Sequence, residues 1–324
     1  MSFTAPIASA SAKELKQRAR EQKRRELYRE IRRYRSVYPL LLFGVAFFLV
    51  FAYYPMYGIT LAFKHYSIGK GISGSDWVGL ANFTKLFDRS EFWSVLNNTI
   101  VISLLKTIAF FPAPILLAIL INEVGRRLAR TLQIVYTLPH FLSWVTISAI
   151  MMNLLASSGA VNGLIEMLGG EKVGFLNEGA LFRFLLVFTE IWKEAGWSCI
   201  IYMAAIAGID QSQYESAIID GASRFQKAVY ITLPSLKNVA AILLLLSLGN
   251  VMNAGFDQIF NMYNPTVYNA ADILDTYIYR ISFMQAADYG LSTAVGLFKG
   301  VINCALLLFA NYIAGKMSSE SKII

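Results

Sequence analysis

Long apolar stretches alternate with shorter polar segments along most of this chain. The longer apolar stretches approach the roughly 20 residues that a helix needs to cross the hydrocarbon core of a bilayer. The pattern therefore predicts an all-α membrane protein with six transmembrane helices. The expected spans are 39–63, 99–121, 134–155, 181–206, 239–262 and 291–314.

The positive charges are placed unevenly with respect to these spans. Clusters of Arg and Lys follow the second span, lie between the fourth and fifth, and close the chain: Arg126, Arg127, Arg130, Arg224, Lys227, Lys237, Lys316 and Lys322. Cationic loops stay on the cytoplasmic side of a membrane. With six spans, all these loops and both termini are predicted to be cytoplasmic.

Composition agrees with a membrane protein, since 56% of the residues are hydrophobic and only 15% are charged. Much of the net charge of +8 lies in KELKQRAREQKRRELYREIRRYR, which starts at Lys13. Such a run is typical either of a nucleic-acid arm or of a juxtamembrane segment. Because an apolar span follows directly, we predict a cytoplasmic segment over 1–38 that contacts lipid and no nucleic acid. The permease region would then cover 39–314 and a cytoplasmic tail 315–324.

Few residues offer redox or metal chemistry. Cys199 and Cys304 both fall inside predicted spans and suggest neither a disulfide framework nor a metal site. The two histidines, His65 and His140, are far apart in the chain. No G-x-x-x-x-G-K-[ST] motif occurs, so we expect no nucleotide, metal or other cofactor in this chain.

The polar segment 209–237, called the loop segment below, has a helical pattern of its own. A short helix is predicted to open at residue 212 or 213 with Tyr214, Ala217 and Ile218 on one face. Gly221 then ends it, because glycine accepts the left-handed conformation at helix ends. A second amphipathic piece runs to Pro234. The segment is therefore predicted to form a compact helix–turn–helix.

This segment resembles the EAA loop of ABC importer permeases, whose pattern is E-A-A-x3-G-x9-I-x-L-P. The matching residues stand at the right spacing, with serine as a small replacement at the second position: Glu215, Ser216, Ala217, Gly221, Ile231, Leu233 and Pro234. The resemblance implies that these residues, together with Tyr214 and Asp220, couple the chain to an ATPase. Glu215 would accept hydrogen bonds from an arginine or cap its helix. Tyr214, Ala217 and Ile218 would enter a cleft in the ATPase.

The resemblance extends over most of the chain. The segments VYTLPHFLSWV, IWKEAGW, NAGFDQIFNMYNP and DTYIYR look like the sugar-permease branch that serves polysaccharide, aldouronate and alginate importers. It implies a type I ABC importer permease fold in a bacterial inner membrane and a transport subunit rather than an enzyme. The implied partners are a second permease, two ATPases that bind ATP and Mg, and an external solute-binding protein. An acidic oligosaccharide such as alginate is the implied substrate.

Charged residues in the fourth span form one candidate site. Lys193 is three residues after Glu190 and shares its helical face, so we expect these two side chains to pair. Glu194 follows Lys193 directly. Ionisable residues inside a bilayer usually face the bundle interior or a wet cavity. The group forms either an internal ion pair without a ligand or part of the translocation path.

Polar residues in the fifth span form a second candidate. Asn250, Asn253 and Asp257 are spaced by three and four residues, which places them on one stripe of a continuous helix. Amide and carboxylate groups bond sugar hydroxyls, so the stripe suits a carbohydrate path. It is equally typical of hydrogen bonding between membrane helices. Lys299 in the sixth span either snorkels to the interface or lines the path.

Two other function classes compete with an ATP-driven importer. An ion-coupled secondary transporter should have paired internal repeats with interrupted helices. A membrane-embedded enzyme should have a carboxylate or metal cluster at the membrane face. The sequence has neither pattern.

Overall fold

The structure is a computed structural model that describes residues 21–25, 29–30, 32–284 and 286–317. Most of the basic segment predicted over 1–38, and the end of the tail predicted over 315–324, lie outside these residues. The chain divides into two compact units, Met1–Ile59 and Thr60–Ile324.

Most of the first apolar span lies in the first unit. A helix over Val37–Phe48 continues through a π-helical turn, Leu49–Tyr53, into a 3-10 helix over Tyr54–Phe63. The uninterrupted helical stretch Val37–Phe63 has a mean hydropathy of 2.0. The first predicted span is thus helical over its whole length.

Near its start the second unit has a small antiparallel hairpin. Strand Lys64–His65 pairs with strand Asp76–Trp77 around a short helix, Gly71–Gly74. The buried Asn82 amide donates to the carbonyls of Ala62 and Lys64, at 2.9 and 3.0 Å. This contact fixes the hairpin against the helix that follows it.

The rest of the second unit is helical. Its α-helices are Ala81–Phe87, Ser90–Phe110, Pro112–Glu123, Arg126–Thr137, Trp144–Leu155, Ala160–Met167, Gly179–Ala207, Gln211–Ile219, Arg224–Lys227, Leu233–Ser235, Lys237–Leu248, Phe256–Met262, Tyr268–Ala271, Leu274–Tyr279 and Tyr289–Met317. Shorter 3-10 or π-helical turns cover Leu138–Phe141, Ala228–Thr232, Pro265–Val267 and Arg280–Met284.

The helix Gly179–Ala207, called the central helix below, organises the packing. It lies against Ser90–Phe110, Pro112–Glu123 and Arg126–Thr137. At one end its Phe182 and Leu186 join a buried cluster with residues of Phe256–Met262. Towards its other end Cys199 and Tyr202 join a second cluster with residues of Pro112–Glu123. The central helix therefore connects two parts of the apolar core.

Within the described residues, four helical stretches are long and apolar enough to cross a membrane: Val37–Phe63, Ser90–Glu123, Trp144–Met167 and Tyr289–Ile313. A fifth arises if Arg224–Ser235 and Lys237–Leu248, bent by 56°, form one span. The central helix is also long, but it carries Arg183, Glu190, Lys193 and Glu194. The helical membrane architecture is confirmed, whereas the count of six spans is not.

Two predicted spans are interrupted. The span expected over 134–155 breaks near Pro139, and a new helix begins at Trp144, where the Ser143 hydroxyl accepts a hydrogen bond from the Thr146 amide at 3.2 Å. The span expected over 239–262 ends at Leu248 and resumes only at Phe256. Before Phe256, Gly255 adopts the left-handed conformation with φ 95°. Proline lacks the amide hydrogen, so the first break has a local cause. At the second break the left-handed Gly255 directly precedes the helix that resumes at Phe256.

Candidate functional site

A cavity of about 330 Å³ lies between the helix Ser90–Phe110, the central helix and the break after Leu248. Its lining includes several polar side chains: Ser103, Lys106, Glu190, Ser198, Asn250 and Asn253. Most other lining residues are apolar. A concave apolar surface with a few convergent polar groups is the usual form of a small-molecule site.

Lys106 is the charge at the centre of this arrangement and is only 8% exposed. Its ammonium donates to the Ala254 carbonyl at 2.7 Å and to the Gln258 side-chain oxygen. It also forms an ion pair with Glu190 at 3.3 Å. The broken helix is thus tied to the central helix through one side chain. A buried charge needs such partners, because its desolvation is costly.

The carboxamide of Gln258 extends this network. Its amide donates to the Leu186 carbonyl at 2.8 Å and to the Thr189 hydroxyl at 2.7 Å, both on the central helix. Sequence reasoning missed both Lys106 and Gln258. Lys106 did carry a signal, since it is a lone cation within the predicted span 99–121 and such residues are functional candidates. Gln258 carried none, because its role depends on contacts distant in sequence.

The predicted pairing of Glu190 with Lys193 is wrong. Glu190 pairs with Lys106, while the Lys193 ammonium lies 3.1 Å from Glu194 and donates to the His140 carbonyl at 2.6 Å. The second Glu194 oxygen lies 2.7 Å from His140 Nδ1. Lys193 and Glu194 therefore hold the segment after Pro139 against the central helix, and Glu190 alone of the three lines the cavity.

The predicted stripe of Asn250, Asn253 and Asp257 is also wrong, because no continuous helix joins them. Asn250 and Asn253 lie in the break, line the cavity, and share a hydrogen bond of 3.2 Å between their side chains. Asp257 lies on the following helix with its side chain exposed. The break, and not helical periodicity, brings the two asparagines to the cavity.

Lys299, left open between two roles, pairs with Asp275 at 2.5 Å. A second set of ion pairs lies close to Asp275 in the chain. In it, Arg280 contacts Asp272 and Glu91, each at 2.7 Å. These pairs fix Leu274–Tyr279 and the turn after it to the helices Tyr289–Met317 and Ser90–Phe110.

The loop segment begins with a capped helix over Gln211–Ile219. The cap is Asp210, which accepts hydrogen bonds from the Ser212 amide at 3.0 Å and the Ser212 hydroxyl at 2.7 Å. These donors hold the pKa of the Asp210 carboxyl below its usual range. Glu215 lies inside the helix, so the alternative that it caps the helix is wrong.

The end of this helix has the conformation that the sequence predicts. Gly221 is left-handed with φ 77°. Its amide donates to the Ile218 carbonyl at 3.1 Å, and the Ala222 amide donates to the Ala217 carbonyl at 2.9 Å. These two bonds are those of a Schellman motif, which satisfies the carbonyls at a helix end.

The second half of the loop segment returns to the core. Ser223 and Gln226 form a capping box at the start of Arg224–Lys227. The Tyr214 hydroxyl lies 2.8 Å from the Thr232 hydroxyl and so joins the two halves. Ile231, Leu233 and Pro234 lie in the turns that precede the 56° bend into Lys237–Leu248.

The outward surface of the loop segment differs in part from the predicted one. Tyr214 and Ala217 are half-buried. Glu215, Ser216 and Asp220 are exposed, as are the large apolar side chains of Ile218 (59%), Ile219 (86%) and Phe225 (76%). An exposed apolar group of this kind on an ordered turn is typical of a protein-binding surface.

Comparison with known proteins places these features in a family. Residues 110–319 match the model of the binding-protein-dependent transport system inner membrane component. Protein LplB of Bacillus subtilis (strain 168) is 42% identical over 90% of this chain and 92% of its own length. The polygalacturonan/rhamnogalacturonan transport system permease protein YteP of the same organism is 42% identical over 93% of this chain and 94% of its own length.

Two solved structures are similar along nearly their whole length. One belongs to a bacterial ABC transporter involved in the import of the acidic polysaccharide alginate, with a TM-score of 0.83 and 37% identity over 90% of this chain and 99% of that one. The other is the bacterial alginate ABC transporter in complex with an alginate pentasaccharide-bound periplasmic protein, with a TM-score of 0.81 and 38% identity over 90% of this chain and 98% of that one.

These matches favour an ABC importer permease over an ion-coupled transporter, since the family model covers most of the cavity lining, the loop segment and the last long helix. The fold predicted from the EAA resemblance is confirmed by the same comparisons. The chain belongs to the inner membrane components of binding-protein-dependent transport systems.

Proposed function

We propose that this permease carries an acidic oligosaccharide across the bacterial inner membrane as one of two different permease subunits. Support comes from the relatives, which are named for polygalacturonan, rhamnogalacturonan and alginate transport. An external binding protein delivers the sugar, as the complex solved for the alginate transporter suggests. Two partner ATPases bind ATP and Mg and supply the energy.

The loop segment is the proposed contact with an ATPase, and its outward surface is the observation that carries the proposal. Ile218, Ile219 and Phe225 are exposed apolar side chains on a turn held by hydrogen bonds, with the Glu215 carboxylate beside them. The apolar groups suit a cleft, and the carboxylate suits an arginine. Tyr214 and Ala217 support the turn from inside.

The cavity is the proposed half of the translocation path. Asn250 and Asn253 would bond sugar hydroxyls, and the Glu190–Lys106 pair would hold the break in place. We assign no role in the cavity to Lys193, Glu194 or Asp257. The loop segment and both termini are assigned to the cytoplasm because of their Arg and Lys residues.

Co-purification tests the assembly. The full chain carries an affinity tag, is extracted in mild detergent, and is examined for a bound second permease and a bound ATPase. Ile219→Asp should lose most of the ATPase and keep the second permease, since it places a charge on the docking surface. Ile68→Asp is the matched control, because Ile68 is 78% exposed in the hairpin region and lies outside the loop segment. Equal ATPase recovery with Ile219→Asp and Ile68→Asp would refute this docking surface.

A further inference from the structure

Four aromatic side chains form a continuous surface beside the cavity: Phe256, Phe260, Tyr279 and Phe283, called the aromatic track below. The rings of Phe256 and Phe260 are stacked with centroids 5.1 Å apart. Phe260 contacts Tyr279 at 4.7 Å, and Tyr279 contacts Phe283 at 5.3 Å. Each pair from one helical stretch is spaced by four residues, so both pairs project from one side of their helices.

Three members of the aromatic track, Phe256, Tyr279 and Phe283, line a second cavity of about 510 Å³. Its wall also contains Asn253 and Asp275. Asn253 and Gly255 line the first cavity as well. The two cavities therefore share a wall at the break in the fifth predicted span. A chain of sugar rings that reached Asn253 would have its next rings beside the aromatic track.

The polar residues around the track indicate that it does not face lipid. The helix Phe256–Met262 buries Gln258, Ile259 and Met262, and it turns Phe256 and Phe260 outward together with the exposed carboxylate of Asp257. The Asp275–Lys299 ion pair lies in the same region. Ionisable groups avoid lipid and face a wet cavity or a protein interior.

Aromatic faces carry partial negative charge and attract the C–H groups of a sugar ring, while carboxylates and amides accept or donate hydrogen bonds to its hydroxyls. The wall of the second cavity combines both kinds of group, since Asn253 and Asp275 lie beside the aromatic rings. We propose that it binds pyranose rings of the oligosaccharide next to those in the first cavity. The inference rests on the proposed function and extends it to the length of the substrate.

The test compares substrates of two lengths in proteoliposomes that contain the complete importer with saturating binding protein. The probes are galacturonate oligosaccharides and neutral galacto-oligosaccharides, each as a disaccharide and as a hexasaccharide. In Tyr279→Ala the ratio of hexasaccharide to disaccharide uptake should fall by roughly three- to tenfold, the range expected for loss of one aromatic contact. Tyr279→Phe should keep the wild-type ratio, because it retains the ring.

Phe184→Ala is the control for loss of an exposed ring elsewhere. Phe184 is 64% exposed and stacks on Phe188 of the central helix. It should leave the ratio unchanged. Tyr279→Ala could instead reduce uptake equally at both lengths, or lose the second permease while the uptake ratio stays unchanged. Either result would show that the track serves packing or a subunit contact. It would overturn this inference and leave the proposed function standing. If the wild-type importer takes up none of the probes, the proposed function fails, and the inference fails with it.

Discussion

Lys106 is the residue on which the geometry of the cavity depends. Its ammonium contacts three elements of the chain: the carboxylate of Glu190, the carbonyl of Ala254 and the carboxamide of Gln258. Ala254 lies in the break, where no helical amide is available to its carbonyl. One buried cation therefore replaces hydrogen bonds that a continuous helix would have made.

We expect Lys106→Met to destabilise the protein by about 3–5 kcal/mol, since it leaves Glu190 without its cation in a largely apolar cavity. The midpoint of thermal unfolding of the purified protein in detergent measures this loss. Lys172→Met is the control, because Lys172 pairs with Glu166 at 3.3 Å with both side chains about half exposed. An exposed pair contributes about 0–1 kcal/mol. Similar shifts in the two variants would contradict the role given to Lys106.

The sequence was informative about single residues only where a local rule applied. The left-handed Gly221 was predicted because a helix end needs such a residue, and it is confirmed. The partner of Glu190 was not predictable, since Lys106 lies 84 residues away in the chain. A spacing of three residues suggested Lys193, but tertiary contacts with His140 and Glu194 take that ammonium instead.

Among the elements, the loop segment is ordered by hydrogen bonds between its own residues. An Asp210 cap, a Schellman turn at Gly221 and the Tyr214–Thr232 hydrogen bond fix its two halves. Arg224 also donates to the Glu123 carbonyl at 3.4 Å, which attaches it to the end of Pro112–Glu123. In the proposed mechanism, movement of an ATPase reaches the membrane helices through these contacts.

Gly221→Val should leave the protein in the membrane but remove most of the bound ATPase and abolish transport. No atom lies within 4 Å of the position that a Cβ would take, so the cost comes from the backbone conformation. It amounts to about 1–2 kcal/mol for a residue with a side chain. Gly221→Asn should retain much more ATPase, because asparagine tolerates the left-handed region. The measurements are membrane content, co-purified ATPase and uptake. Normal import by Gly221→Val would refute the coupling role of this turn.

The helices themselves were predictable to different degrees. Apolar length alone located the first, second and sixth predicted spans. The third and fifth spans were predicted as continuous helices, but Pro139 and the stretch around Gly255 interrupt them. Membrane helices often tolerate proline, so its presence did not decide between a kink and a break. The break after Leu248 is stabilised by Lys106, a contact that periodicity does not reveal.

For the whole molecule, the proposed function depends on which side of the membrane each loop occupies. Single cysteines introduced at Arg126, Lys227 and Ser73 test this in a background with Cys199→Ser and Cys304→Ser. A membrane-impermeant maleimide should reach positions 126 and 227 from the same, cytoplasmic side and position 73 from the other, since Arg and Lys remain inside. Labelling of 126 and 227 from opposite sides would exclude the proposed topology.

We propose that ATP hydrolysis by partner subunits, and not an ion gradient, drives sugar through this permease. Uptake by the reconstituted importer with its oligosaccharide-loaded binding protein tests it most directly. The sugar is supplied outside, and the proteoliposomes contain ATP and Mg in one arm and an imposed proton or sodium gradient in the other. We predict uptake only with ATP, and loss of that uptake in Gly221→Val. Uptake driven by the gradient in the absence of ATP would show that the permease is not ATP-driven.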